Sequence, residues 1–217
     1  LGALEGENPL KFCDLKHIII ALVKNAHPSN KNIEMAAKIM MTYDSIARGG
    51  EIKFQKFTDW SFDYMTYVLD TQWKEAKTCD AYAMARVSDK RWWFDFFFIM
   101  GAHAMCNKGL YRSEEEINNG FMHTVFPDLQ KYSDNYVTTL VGNAVKAGLQ
   151  GTVPDYIIKM FTAKSCRIGA INTLALNALM TAFSVCARSG HSVGEGVNAL
   201  PSYLDRMNVL HGLPAAL

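Results

Sequence analysis

The sequence predicts an α+β domain, mainly helical, with one small antiparallel sheet near its middle. Three observations carry this. Residues 10–25 and 33–46 place apolar side chains at helical spacing. Residues 52–60, 65–73 and 82–87 are rich in aromatic and β-branched residues with partial alternation, the mark of short strands. At 217 residues with 49% apolar content, the chain can bury a substantial core but is too short for two full-sized domains.

Taken in order, the first helix over 10–25 shows Leu15, Ile18, Ile19 and Leu22 on one face. His27-Pro28-Ser29-Asn30 is a loop, with Ser29 or Asn30 as the cap of the next helix. That helix, 33–46, aligns Ala36, Ile39, Met40 and Tyr43. Gly49 and Gly50 follow it and are expected to end it. A three-stranded meander over 52–87 comes next, with Lys74 and Lys77 near the second hairpin tip. Residues 92–107 read as a buried helix, and 109–133 as irregular, with Ser113 capping the charged run at 114–116. Helices over 134–149 and 155–163 flank a turn at 151–154. A helix-rich stretch over 162–187 precedes a turn at Ser189-Gly190-His191, and Pro201 opens a last helix, 201–210.

Composition excludes several classes. Lys and Arg number 22 against 21 Asp and Glu, so no global charge draws the chain to nucleic acid. Cys13, Cys79, Cys106, Cys166 and Cys186 form no CxxC pair and no metal-ligand spacing, and read as reduced and mostly buried. No secretory signal is visible. Residues 92–105 and 171–187 are apolar but shorter than the roughly 20 residues a bilayer requires. Phosphate-loop, dinucleotide, zinc-protease and hydrolase-elbow motifs are missing from the sequence. Leu1 opens the sequence in place of Met, as expected of a piece of a longer chain.

Three separated segments concentrate the remaining chemistry. Ala47-Arg48-Gly49-Gly50-Glu51-Ile52 lies between helix and sheet. Lys164-Ser165-Cys166-Arg167-Ile168-Gly169-Ala170 opens the long apolar helix. Ala187-Arg188-Ser189-Gly190-His191-Ser192 is followed, 12 residues after His191, by Tyr203. A helix C-terminus accounts for Arg48 by itself, since the macrodipole favours a cation there. It does not account for Arg167, which sits at a helix start; an anionic partner resolves that conflict.

In this order and context the segments resemble the catalytic domain of the tyrosine recombinases, the phage-integrase family. Arg48-Gly49-Gly50-Glu51-Ile52 is similar to that family's Arg-x-x-Glu motif. Lys77, with Lys74 in reserve, falls where the family has a hairpin lysine. Lys164-Ser165-Cys166-Arg167 resembles its His-x-x-Arg motif, with Lys in place of His. Ser189-Gly190-His191 resembles its Leu-Gly-His, and Tyr203 its nucleophile, at slightly longer spacing. The resemblance spans about residues 10–210, as one catalytic domain over 1–217 without the family's N-terminal DNA-clamping domain.

The resemblance implies an enzyme that breaks and rejoins DNA through a 3′-phosphotyrosyl intermediate, without metal, ATP or other cofactor. Arg48 and Arg167 would hold the non-bridging oxygens of the transition state. Tyr203 would attack phosphorus, Lys77 would protonate the departing 5′ oxygen, and His191 and Lys164 would bind phosphate or take the tyrosine proton. Glu51 belongs to the same motif, and Arg188, Lys90 and Arg91 are candidate DNA-backbone contacts. Implied partners are double-stranded DNA and further copies of the chain, as a tetramer on DNA, with no membrane. The implied location is the nucleus in a eukaryote and otherwise the cytoplasm. A transposable element of eukaryotic type is the implied setting. Two other readings stand beside it: a catalytically retired DNA-binding domain from a mobile element, and a type IB topoisomerase-like nicking-resealing enzyme.

Overall fold

The computed structural model describes residues 8–25, 31–72, 81–85, 89–106, 124–176, 181 and 184–186. Its spine is helix α2, Lys31–Ser45, in which every residue from Ile33 to Tyr43 is buried. A helix covered on all sides belongs at the centre of a core. Helix α1, Phe12–Lys24, lies against it and buries Leu15, Ile18, Ile19 and Leu22, the face its spacing predicts. Helix α4, Phe96–Cys106, packs on another side of α2. The carboxylate of Asp95 caps α4 by accepting the Phe97 and Phe98 N–H groups at 2.9 and 3.2 Å.

The glycine stop after α2 is corrected. The helix ends at Ser45, and Ile46, not a glycine, takes the left-handed conformation at φ 58°. A β-branched residue there is strained. Gly49 and Gly50 instead open α3, a single turn over Gly49–Ile52 with Arg48 as its N-cap. The first strand is corrected too. Residues 53–59 form a turn and a short 3-10 helix, Phe57–Asp59, that buries Ile52 and Gln55 beside it. Phe57 packs against the core, while Phe54 and Thr58 stay exposed.

The sheet is an antiparallel meander of β1 (Trp60–Asp63), β2 (Val68–Gln72) and β3 (Ala81–Ala85). Trp60 pairs with Thr71 and Asp63 with Val68; Val68 pairs in turn with Ala85 and Gln72 with Ala81. Asp63 shapes the first hairpin turn, accepting the Met65 N–H and the Thr66 hydroxyl at 2.8 and 2.6 Å. One face, with Leu69, Tyr82 and Met84, is buried. Trp60 and Phe62 of β1 meet Phe96 and Phe97 of α4 edge-on, with ring centres 5.5 and 5.4 Å apart.

Residues 92–95 are not yet α-helix. Residues 92–94 end a 3-10 stretch, Asp89–Phe94, in which the Phe94 and Trp93 rings each lie 4.9 Å, centre to centre, from the Phe12 ring of α1. Short α5, Pro127–Gln130, is tied to α2 by Glu34. That carboxylate accepts the Asp128 N–H at 3.1 Å and the Leu129 N–H at 3.0 Å. Burial pushes its carboxyl up to about 7, against the pull of those two bonds. Beside it, buried His103 of α4 bonds the Val125 carbonyl at 3.1 Å, and burial lowers its pKa.

Helix α6, Asp134–Leu149, matches its predicted range, with Ser133 accepting the Tyr136 N–H as its cap. A Cβ on Gly148 would lie 2.6 Å from the Ile18 Cα, so α1 and α6 cross in backbone contact. After the 151–154 turn, α7 is only Asp155–Ile158. Helix α8, Ala163–Ala175, then packs on α2, α6 and α1. Among the described residues, no helix is long and apolar enough to cross a membrane. Cys166 and Cys186 are buried and Cys13 is exposed.

Candidate functional site

Arg48 stands on an extended backbone between strained Ile46 and the glycine pair. Its own motif partner holds it. The Glu51 carboxylate accepts the Arg48 backbone N–H at 3.0 Å and the guanidinium at 3.2 Å. The Arg48 side chain remains 40% exposed while that of Glu51 is 11% exposed. The guanidinium is therefore oriented from beneath and reachable from solvent. Ser45 steadies the approach by accepting the Ala47 N–H.

Two lysines brace this turn. Lys53, just after α3, donates to the Tyr132 carbonyl at 2.8 Å and to Asp134 at 2.7 Å, tying the turn to the start of α6. A Cβ on Gly50 would lie 4.0 Å from the same Asp134 carboxylate. Lys38 of α2 is only 2% exposed, and its ammonium donates to the Gly49 carbonyl. Burial lowers the Lys38 pKa to about 8; Asp134 opposes the shift and Lys53 adds to it.

Arg167 and Lys164 lie in the opening turns of α8, Arg167 half-buried and Lys164 exposed. The first turn holds no acidic residue, so the partial positive charge of the helix start is reinforced. Between the two cations, Ser165 and Cys166 point inward and are fully buried. Ser165 accepts the Thr162 N–H at 3.0 Å, closing the helix start. Its carbonyl accepts the Leu10 N–H, also at 3.0 Å. Burial pushes the Cys166 thiol up to about 12, against the nearby Lys38 charge. That thiol is inert packing.

Helix α2 packs against both α3, which follows Arg48, and α8, which carries Arg167. From α2, Lys38 reaches the Arg48 turn, and its charge acts on Cys166, the residue before Arg167. Further along, Tyr43 bonds Thr173 of α8 at 2.7 Å, and burial pushes its phenol up to about 12. Glycine at 169 lets α8 touch the Leu10 backbone: a Cβ there would sit 1.8 Å from the Leu10 carbonyl oxygen.

Lys90 and Arg91 are exposed on the 3-10 stretch that packs against α1 and α4. Lys74, Lys77, Arg188, His191 and Tyr203 lie outside the described residues, as does the predicted helix over 201–210. Sequence reasoning missed Lys38, Lys53 and Asp134. Each looks like an ordinary solvent-facing charge in one dimension, and no local motif marks any of them.

No protein-family model and no curated protein matches the sequence. Solved structures do match the fold. A XerH site-specific recombinase bound to palindromic difH substrate, in a post-cleavage complex, aligns with 95% of this chain and 53% of its own, at TM-score 0.62 and 13% identity. XerA recombinase aligns with 98% of this chain and 67% of its own, at TM-score 0.61 and 12% identity. A lambda integrase dimer bound to a COC′ core site aligns with 95% and 50%, at TM-score 0.57 and 12% identity. This chain therefore spans about half to two-thirds of the length of these proteins. With the helical spine, the three-stranded meander and near-complete coverage, the chain has the α+β fold of a tyrosine-recombinase-like domain.

Proposed function

We propose that the chain is a site-specific DNA recombinase that breaks and rejoins strands through Tyr203. The observation that carries the reading is that one helix, α2, packs against both the Arg48 turn and α8, whose opening turns hold Lys164 and Arg167. Two of the structural neighbours are held on DNA substrates, which supports DNA as the partner.

In this reading a backbone phosphate docks against Arg48 and Arg167. Glu51 keeps the Arg48 fork oriented before DNA arrives, so little side-chain freedom remains to be lost on binding. The Tyr203 oxygen attacks phosphorus as the bond to the 5′ oxygen breaks. His191 takes the phenolic proton, and Lys77, or Lys74, gives one to the departing oxygen. The phosphodiester becomes a phosphotyrosyl ester of similar energy, so the reverse attack by a 5′ hydroxyl reseals the strand. Lys164 contributes a point charge to the phosphate. Recombination joins four copies of the chain on two duplexes, at the genome: in the nucleus of a eukaryote, otherwise in the cytoplasm.

A nicked suicide duplex tests this. Wild type is expected to form a covalent protein–DNA adduct visible on a denaturing gel, and Tyr203→Phe to form none. An adduct that survives Tyr203→Phe moves the nucleophile elsewhere. DNA binding without any adduct favours a retired DNA-binding domain, and relaxation of supercoiled plasmid by the chain alone favours a topoisomerase-like enzyme.

A further inference from the structure

A lysine buried at the centre of a helical core is costly unless its ammonium has a partner. Lys38 has the Gly49 carbonyl. That carbonyl lies one residue after Arg48, within the stretch that most needs restraint. Ile46 is strained, and two consecutive glycines carry the largest conformational freedom the chain can hold. Glu51 holds the Arg48 side chain, but it belongs to the same short turn and moves with it. Lys38 is anchored outside that turn, in α2, which is buried throughout from Ile33 to Tyr43.

The charged and titratable groups that act on its ammonium lie outside α2. They are Asp134 at the start of α6, Lys53 after α3, and Cys166 of α8. Lys38 is therefore in contact with the Arg48 turn, on a helix that also packs against α8. It is too deeply buried to meet DNA itself.

We propose that Lys38 is a positioning residue for Arg48, clamping the Gly49 carbonyl so that the guanidinium is held in fixed relation to the start of α8. The consequence for catalysis rests on the strand-transfer reading; the clamp itself does not. A displacement of about 1 Å in such a group lowers rates on the order of 10²-fold.

Lys38→Met keeps the bulk of the side chain and removes the donor. Removing one partner of a buried hydrogen bond leaves the Gly49 carbonyl without its donor, so the melting temperature is expected to fall by several degrees while the fold is kept. Amide hydrogen exchange over residues 47–52 is expected to quicken about tenfold or more, with that of α2 unchanged. Adduct formation at saturating suicide duplex is expected to slow on the order of 10²-fold, with DNA affinity changed less than about threefold.

Exchange over 47–52 equal to wild type overturns the clamp, whether or not wild type cleaves DNA. Faster exchange with an unchanged cleavage rate overturns the positioning role. Faster exchange in a protein whose wild type forms no adduct leaves the clamp standing and sinks the strand-transfer reading. Where Lys38→Met fails to fold, Lys38→Gln, one atom too short to reach Gly49, carries the same expectations.

Discussion

Replacing Arg48 by alanine is expected to slow single-turnover adduct formation on the order of 10²–10³-fold, the usual effect of deleting one donor to developing oxyanion charge. The fold is expected to survive. Arg48 is 40% exposed, and its ion pair with Glu51 is of the kind that contributes about 0–1 kcal/mol to stability. Removing the guanidinium also leaves the Glu51 carboxylate next to the incoming phosphate, a like-charge contact that deepens the loss. Arg48→Lys is expected to recover little, because an ammonium is a point charge and cannot grip two oxygens in one plane. Unfolding curves alongside suicide-substrate kinetics separate the two effects. A rate within threefold of wild type for Arg48→Ala contradicts the assignment.

Gly169→Ala is expected to produce the largest stability loss of any single added methyl. Its Cβ would meet the Leu10 carbonyl oxygen at 1.8 Å and the Leu10 nitrogen at 2.8 Å, both backbone atoms. Leu10 cannot retreat cheaply, since its N–H is bonded to the Ser165 carbonyl. Tyr43 lies at the same seam, 3.4 Å from the Leu10 and Gly169 carbonyls. Overpacking typically costs roughly 1–3 kcal/mol, and contact with backbone puts this case at or above the top of that range. The melting temperature is expected to fall by roughly 6–12 °C. Gly142→Ala in α6 is the control. Its nearest contact would be an ordinary 3.9 Å, so a helical alanine there is expected to be neutral or to gain up to about 1 kcal/mol. Equal melting temperatures for both variants contradict the packing of α8 on the Leu10 backbone.

The parts of the fold legible in one dimension are those whose signals are local. Helix α6 has a serine cap before it and Gly151 beyond it, and its range is read correctly. Helix α1 shows its buried face in its spacing. The stretch before β1 misleads because Ile52, Phe57 and Trp60 look like strand residues. Ile52 instead closes α3 and Phe57 opens a 3-10 helix, so that β1 begins only at Trp60, which packs on Phe96, a partner distant in sequence. The glycine pair misleads for a similar reason: Ile46 makes the left-handed turn, freeing Gly49 and Gly50 to start α3.

The site divides in the same way. Arg48 and Glu51 are three residues apart, so their bond is implicit in the motif. Lys38 contacts Gly49 across 11 positions, and Lys53 contacts Asp134 across 81. A lysine in a helix reads as a solvated face until the helix is known to be covered on every side. Only the assembled core turns Lys38 from a surface charge into a brace.

The central claim is that Arg48 and Arg167 neutralise one and the same phosphate. The most direct measurement gives each alanine variant a suicide duplex whose scissile phosphate is replaced by an uncharged methylphosphonate. With the charge already removed, Arg48→Ala and Arg167→Ala are both expected to regain strand cleavage through Tyr203, each approaching wild type on the same substrate. Failure of the neutral linkage to restore either variant, or restoration of one alone, contradicts a shared phosphate between the α3 turn and the start of α8.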